Sequence, residues 1–223
     1  KKYKNVIVCE NGLFRPYYFG YYLNGFLGNS KLPTEKSSQR FLEMEIPHWT
    51  YDYPNNKKDG YILVCGQLPH DTQVQHIDYI KWLENTINSL KQETNKVVIF
   101  RPHPLLLKKY KNTEIYEKIL SFCDNIDKNV SLFESFKNAY CVCALNSTCL
   151  VDAILYGLPI LCFDNLSLVY NLANHVTQTD VLYFPNYSER LQTFSNIAYT
   201  QWNNEEISQG LHLEYIKTLI NVR

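Results

Sequence analysis

The chain has no surplus of charge: 22 Lys and Arg stand against 22 Asp and Glu among 223 residues. A protein that holds nucleic acid or an anionic membrane through its overall field needs an excess of cations, so composition points to neither. Long apolar runs are also missing. No stretch of roughly 18 apolar residues offers a transmembrane helix, and the first residues show no secretory signal pattern. Gly-x-Gly-x-x-Gly after a strand and the Walker A sequence are both absent, which speaks against a dinucleotide oxidoreductase and a P-loop NTPase. There is no Gly-x-Ser-x-Gly elbow, which speaks against an α/β-hydrolase. Without an Asp-x-Asp pair, metal-dependent sugar transfer of the GT-A type has no support, and no metal is expected.

A disulfide framework is lacking as well. The seven cysteines, an odd number, fall mostly in apolar strand-like runs, so a reducing, cytoplasmic setting is favoured. Cys141 and Cys143 share one face of a strand, but no second pair at ligand spacing accompanies them. They read as small buried hydrophobes rather than zinc ligands.

What is present is a series of short apolar runs, each followed by polar residues. Residues 6–9, 61–65, 96–100, 140–144 and 159–163 read as strands, with a further short one at 130–132. Helices are expected over about 72–93, 106–123, 134–138, 147–156, 188–202 and 204–220, with Gly157 ending the fourth. Residues 11–60 read mostly as loop, and the aromatic cluster from Phe14 to Phe26 reads as core or as an exposed contact surface. Strands alternating with helices from residue 61 onward indicate an α/β fold, a Rossmann-like parallel sheet flanked by helices. The expected division is 61–223 as the Rossmann-like nucleotide-sugar-binding domain and 1–60 as a reduced N-terminal, acceptor-side segment, too short for a second such domain.

In an open parallel sheet, ligands bind at the carboxyl ends of the strands. Four polar sites fall there: Glu10, then Gln67 with Asp71, then His103 after Arg101, then Asn146-Ser147-Thr148. Each has a plain alternative. Asp71 reads equally as a helix cap, His103 between two prolines as a turn residue, and Ser147 and Thr148 as caps. Together they supply what glycosyl transfer requires. A leaving phosphate needs N–H, hydroxyl or cationic partners, and the helix start at 147–148 with His103 offers them. Asp71 and Glu10 are the available carboxylates for a nucleophile and an acid or base.

At these same residues the chain resembles the capsule polysaccharide biosynthesis family, which includes bacterial retaining β-Kdo transferases. Glu10-Asn11-Gly12-Leu13-Phe14-Arg15-Pro16 is similar to the family's opening segment, and Asn24-Gly25 with Ser30-x-Leu32-Pro33 to the stretch that follows. Gly66-Gln67-Leu68-Pro69-His70-Asp71-Thr72-Gln73-Val74, Arg101-Pro102-His103-Pro104 and Asn146-Ser147-Thr148 through Gly157-Leu158-Pro159 are similar to its later motifs, in the same order. The resemblance implies a GT-B-like enzyme transferring Kdo or a related sugar from a CMP-sugar with retention. Asp71 would be the nucleophile and Glu10 the acid/base. His103, Asn146, Ser147, Thr148, Arg101 and Gln67 would hold the nucleotide, and Arg15 would contact substrate. It further implies a nucleotide-sugar donor, a glycan or glycolipid acceptor, no cofactor or nucleic acid, and work in the cytoplasm at the inner face of the membrane with peripheral membrane association. The competing reading is a non-catalytic sugar-nucleotide or glycan-binding module of a polysaccharide assembly complex. A nucleic-acid-modifying glycosyltransferase is disfavoured by the neutral charge.

Overall fold

The computed structural model describes residues 3–14, 17–51, 59–180 and 182–221. In chain order the elements are β1 (Ile7–Asn11), β2 (Tyr18–Leu23), α1 (Gln39–Glu43), β3 (Tyr61–Cys65), α2 (Tyr79–Glu93) and β4 (Val98–Arg101). Then follow α3 (Pro104–Lys109), α4 (Glu114–Ser121), α5 (Leu132–Phe136), β5 (Ala139–Ala144), α6 (Cys149–Tyr156) and β6 (Ile160–Cys162). The chain ends with α7 (Tyr187–Ala198), β7 (Gln201–Asn203), α8 (Asn204–Ser208) and α9 (Leu211–Asn221). Contacts divide it into two compact units: Lys1–Trp49 with Asn165–Asn171 and Asn186–Arg223, and Thr50–Asp164 with Leu172–Pro185.

The second unit holds the expected parallel sheet, in the order β4-β3-β5-β6. Ile62, Leu63 and Val64 of β3 are wholly buried, as are Cys141, Val142 and Cys143 of β5. Central parallel strands are covered on both faces, which is why they read as continuous apolar runs. Leu83, Ile87 and Leu90 of α2 pack into the same core as Ile62, Val64 and Phe100. The thiols behave as core hydrophobes, and burial pushes Cys141 up to about 12. Gly157 ends α6 with φ 83°, as the sequence indicated.

Several element boundaries differ from expectation. The helix expected over 72–93 begins at Tyr79, capped by Asp78, whose side chain accepts from Lys81 N. Residues 71–77 instead form turns, with Val74 N donating to Asp71 O at 2.9 Å. The helix expected over 106–123 is two helices, with Asn112 at φ 65° between them. Residues 130–132 form no strand, because Ser131 caps α5 by accepting from Glu134 N.

The first unit carries a three-stranded antiparallel sheet in the order β1-β2-β7. By contacts, then, the chain divides differently from a single boundary at residue 60. Residues 186–221 group with the N-terminal segment, and Tyr18, Phe19 and Gly20 pair with Asn203, Trp202 and Gln201. β2 lies in the stretch read as loop, and β7 in a stretch read as helix. Phe14 and Tyr22 are buried, and the Phe14 ring packs against Phe41 and Phe194 at centroid distances of 6.0 and 6.4 Å, so these aromatics build core. Tyr17 is 73% exposed. Among the described residues, no helix is long and apolar enough to cross a membrane.

Arg40 of α1 ties this unit together. Its guanidinium meets Glu206 at 2.5 and 3.1 Å, donates to Gln201 O at 2.6 Å and Ala198 O at 2.9 Å, and lies 4.2 Å over the Trp202 ring. Burial alone would raise the Glu206 carboxyl, but Arg40 and the Asn203 N–H outweigh it and hold the pKa below the ordinary 4.5. A depressed carboxylate pKa stabilises the fold above the unfolded value, and that stability is lost as pH falls through the folded one. Arg40→Lys keeps the charge but not the planar fork. It is expected to cost about 2 kcal/mol near neutral pH, with a gap to the parent that narrows below about pH 4, read by chemical denaturation across pH.

Candidate functional site

All four strands of the parallel sheet point the same way, so their carboxyl ends share one edge. Across it, in sheet order, come His103 after β4, Gln67 after β3, Asn146 after β5 and Asp164 after β6. Two of these side chains are tightly bonded. Gln67 Nε2 donates to Asn146 Oδ1 at 2.8 Å, and Asn146 N donates back to Gln67 Oε1 at 3.4 Å. Asn146 Nδ2 donates to Gln73 O at 2.8 Å and to Asp164 Oδ2 at 2.7 Å. Asp164 also meets His76 Nε2 at 2.9 Å. Gln67 N donates to Tyr79 Oη at 2.7 Å, fixing the loop after β3 to the first turn of α2.

The network explains why α2 starts late. A helix running from Thr72 would take Gln73 O into its own ladder, whereas the turns at 71–77 present that carbonyl to Asn146. Asp71 sits at the head of these turns, half-buried, its Oδ1 accepting from Gln73 N at 3.2 Å. It caps no helix.

Beyond Asn146 the chain enters α6. Leu150 N and Val151 N already donate to Ser147 O and Thr148 O. Thr148 is the residue before the helix, yet its side chain makes no cap bond. Asp78, Thr113 and Asn186 each cap their helices with the side chain. At the start of α6 Ser147 Oγ accepts from Cys149 N at 3.4 Å, and Ser147 and Thr148, both half-buried, lie beside the buried network. The dipole of a helix start favours negative charge. His103 accepts from Leu105 N at its Nδ1 (3.1 Å), so the neutral ring carries its proton on Nε2, a donor.

Arg101 engages the loop that follows α4. Its Nη1 meets Asp127 Oδ2 at 2.5 Å and also donates to Ser135 Oγ and Asn129 O, both at 3.1 Å. Burial alone would raise the Asp127 carboxyl, but Ser135, the Asn129 N–H and Arg101 hold it below the ordinary 3.8. The arginine thus anchors the 127–135 loop. Glu10 lies in β1 of the other unit, opposite Gly20, its Oε1 accepting from Asn11 N at 3.1 Å. Arg15 lies outside the described residues. Among those described, no group of three His, Cys, Asp or Glu side chains is placed to hold a metal ion.

Among solved structures, the chain is similar to Thermosulfurimonas dismutans KpsC, a beta Kdo 2,7 transferase. The match has 18% identity and a TM-score of 0.59, over 94% of this chain and 78% of that one. The fold is GT-B-like. A UDP-N-acetylglucosamine 2-epimerase from Rickettsia bellii matches at 15% identity and a TM-score of 0.33, over 82% of this chain and 50% of that one, too distant to weigh. No protein-family model and no curated protein sequence matches the chain.

Sequence reasoning found Gln67 and Asn146 but missed Asp164 and His76. Asp164 was legible in principle, since it follows an apolar strand just as the others do. His76 was hidden by being assigned to a helix. Replacing Asn146 by Asp would set a second carboxylate beside Asp164. Like charges at this distance raise a carboxyl pKa, so Asn146→Asp is expected to be destabilised at about pH 7 and to recover part of the loss at about pH 5. Asn146→Ala should lose about 1–3 kcal/mol without that recovery. Thermal melts at the two pH values separate them.

Proposed function

We propose that the chain is a glycosyltransferase that takes its sugar from a nucleotide donor bound at the carboxyl edge of the parallel sheet. The observation that carries this reading is the start of α6 at the carboxyl edge of the sheet, with the half-buried Ser147 and Thr148 beside the buried Gln67–Asn146–Asp164 network. The GT-B-like fold supports it, because the solved structure of similar fold is that of a beta Kdo 2,7 transferase. His103 would donate through Nε2 to a phosphate oxygen, and the amides and hydroxyls at 147–148 would take the rest of its charge. Gln67 and Asn146 would act mainly by holding the two loops in place, and Arg101 by anchoring its own loop.

The finer reading follows the resemblance to the retaining β-Kdo transferases. The donor is a CMP-sugar, with Kdo or a related acid as the sugar. The Asp71 carboxylate attacks the anomeric carbon as its bond to the CMP oxygen breaks. The acceptor hydroxyl then attacks that carbon, its proton passes to Glu10, and Asp71 departs. Two inversions give retention. Arg15 contacts substrate, no metal takes part, and the acceptor is a glycan or glycolipid met at the inner face of the cytoplasmic membrane. Glu10 and Asp71 belong to different compact units, so a chain that binds donor without turning it over is the second reading.

A melting panel with CMP, UDP, GDP and ADP tests the donor. CMP at about 100 times its Kd is expected to raise the melting temperature by roughly 5–10 °C. A shift with UDP or GDP instead would keep the donor site and discard CMP, and no shift with any nucleotide would overturn the reading. Asp71→Ala and Glu10→Gln are each expected to abolish transfer from CMP-Kdo while circular dichroism stays native. Transfer retained by both would sink the assigned mechanism, and binding without turnover in the parent would establish the second reading.

A further inference from the structure

The unit with the antiparallel sheet carries a half-open cavity of about 360 Å³, walled by residues from 28–34, 165–171 and 193–197. All of them belong to that unit. The volume lies at the small end of the range for small-molecule sites and suits one or two sugar rings. Its polar wall consists of amides and hydroxyls: Asn165, Asn171 and Asn196, with Thr34 and Thr193. None of these ionises. Two cavities of the other unit contrast with it, one lined by Glu93, His175 and Asp180 and one by Asp59 and Lys96. A charged ligand entering the neutral cavity would lose hydration with no counter-charge to replace it, so the wall selects an uncharged one.

The hydrogen-bonding capacity of the wall is only partly used from within the protein. Ser167 lines the cavity only with other atoms, since its hydroxyl oxygen is sealed from the cavity as well as from solvent. Asn171 Nδ2 donates to Thr193 Oγ1 at 3.0 Å, which leaves the Thr193 O–H as a donor and Asn171 Oδ1 as an acceptor. Asn196 Oδ1 accepts from Lys36 N and Gln192 Nε2, both at 3.0 Å, which leaves its Nδ2 to donate. Donors and acceptors are therefore mixed, as sugar hydroxyls require. Leu168, Ile197 and the Tyr170 ring add the apolar surface that a pyranose C–H face covers. Gly28 sets the wall's position: its N–H donates to Leu166 O at 2.9 Å, and a Cβ there would lie 2.1 Å from Asn165 O.

We propose that this cavity binds an uncharged saccharide unit, at a site separate from the nucleotide edge. The proposal goes beyond the transfer reading and does not depend on it, since a CMP-sugar is anionic and this wall carries no cation. Saturation-transfer NMR on the full chain tests it with glucose, galactose and N-acetylglucosamine as probes and glucuronate as the charged control. At least one neutral sugar is expected to bind and glucuronate is not. Asn171→Ala removes the amide whose Oδ1 is left to accept, and it should weaken the bound sugar roughly fivefold. Thr193→Val should weaken it similarly, and CMP binding should be unchanged in both variants. The proposal is overturned if no neutral sugar binds, if glucuronate binds as well as the neutral sugars, or if both variants bind the sugar as tightly as the parent.

Discussion

The buried side-chain amide of Asn146 must find partners for both its oxygen and its nitrogen, and the loops at the sheet edge are arranged around that demand. It is 1% exposed, and an amide left unpaired at that depth would cost about as much as several surface contacts contribute. Gln67 takes one side, and Gln73 O and Asp164 take the other. Three consequences follow from one constraint. The loop after β3 is pinned to the loop after β5, residues 71–77 are kept out of helix α2, and the segment after β6 is drawn in through its carboxylate. The start of α6 inherits its position from this network, so the proposed phosphate site rests on a residue that need not itself touch the phosphate.

The other unit is organised by a cation. Arg40 satisfies its donors on two backbone carbonyls and a carboxylate, and covers an indole with its flat face. Lysine could meet the charge but not the geometry. The result joins residues 166 positions apart and makes the chain's last segments part of the same compact unit as its first. The neutral cavity lies in this unit, and the helix start proposed to take a phosphate in the other. The two proposed ligand chemistries thus differ in charge.

Some of this was legible in advance. The parallel strands announced themselves as short apolar runs because they are buried on both faces, and Gly157 marked a helix end because it takes a left-handed conformation. Gln67, His103, Asn146 and Ser147 could be picked out because each directly follows such a run. β2 could not, since Tyr18–Leu23 is aromatic and only partly alternating, and its identity as a strand comes from partners at 7–11 and 201–203. Arg101 was read as a ligand because it adjoins His103. Which neighbour an arginine engages depends on loop 127–135 folding back over it, and no local pattern records that.

The sequence by itself determined the class of fold and the sheet edge at which its polar residues gather. Both follow from periodicity and from the residue types next to each strand, which are local properties of the chain. Only the tertiary structure decided which polar residues share hydrogen bonds, where α2 begins and which segments form each unit. Those outcomes depend on groups such as Gln67 and Asn146, 79 residues apart, whose pairing becomes favourable only once the core has brought them together and excluded water.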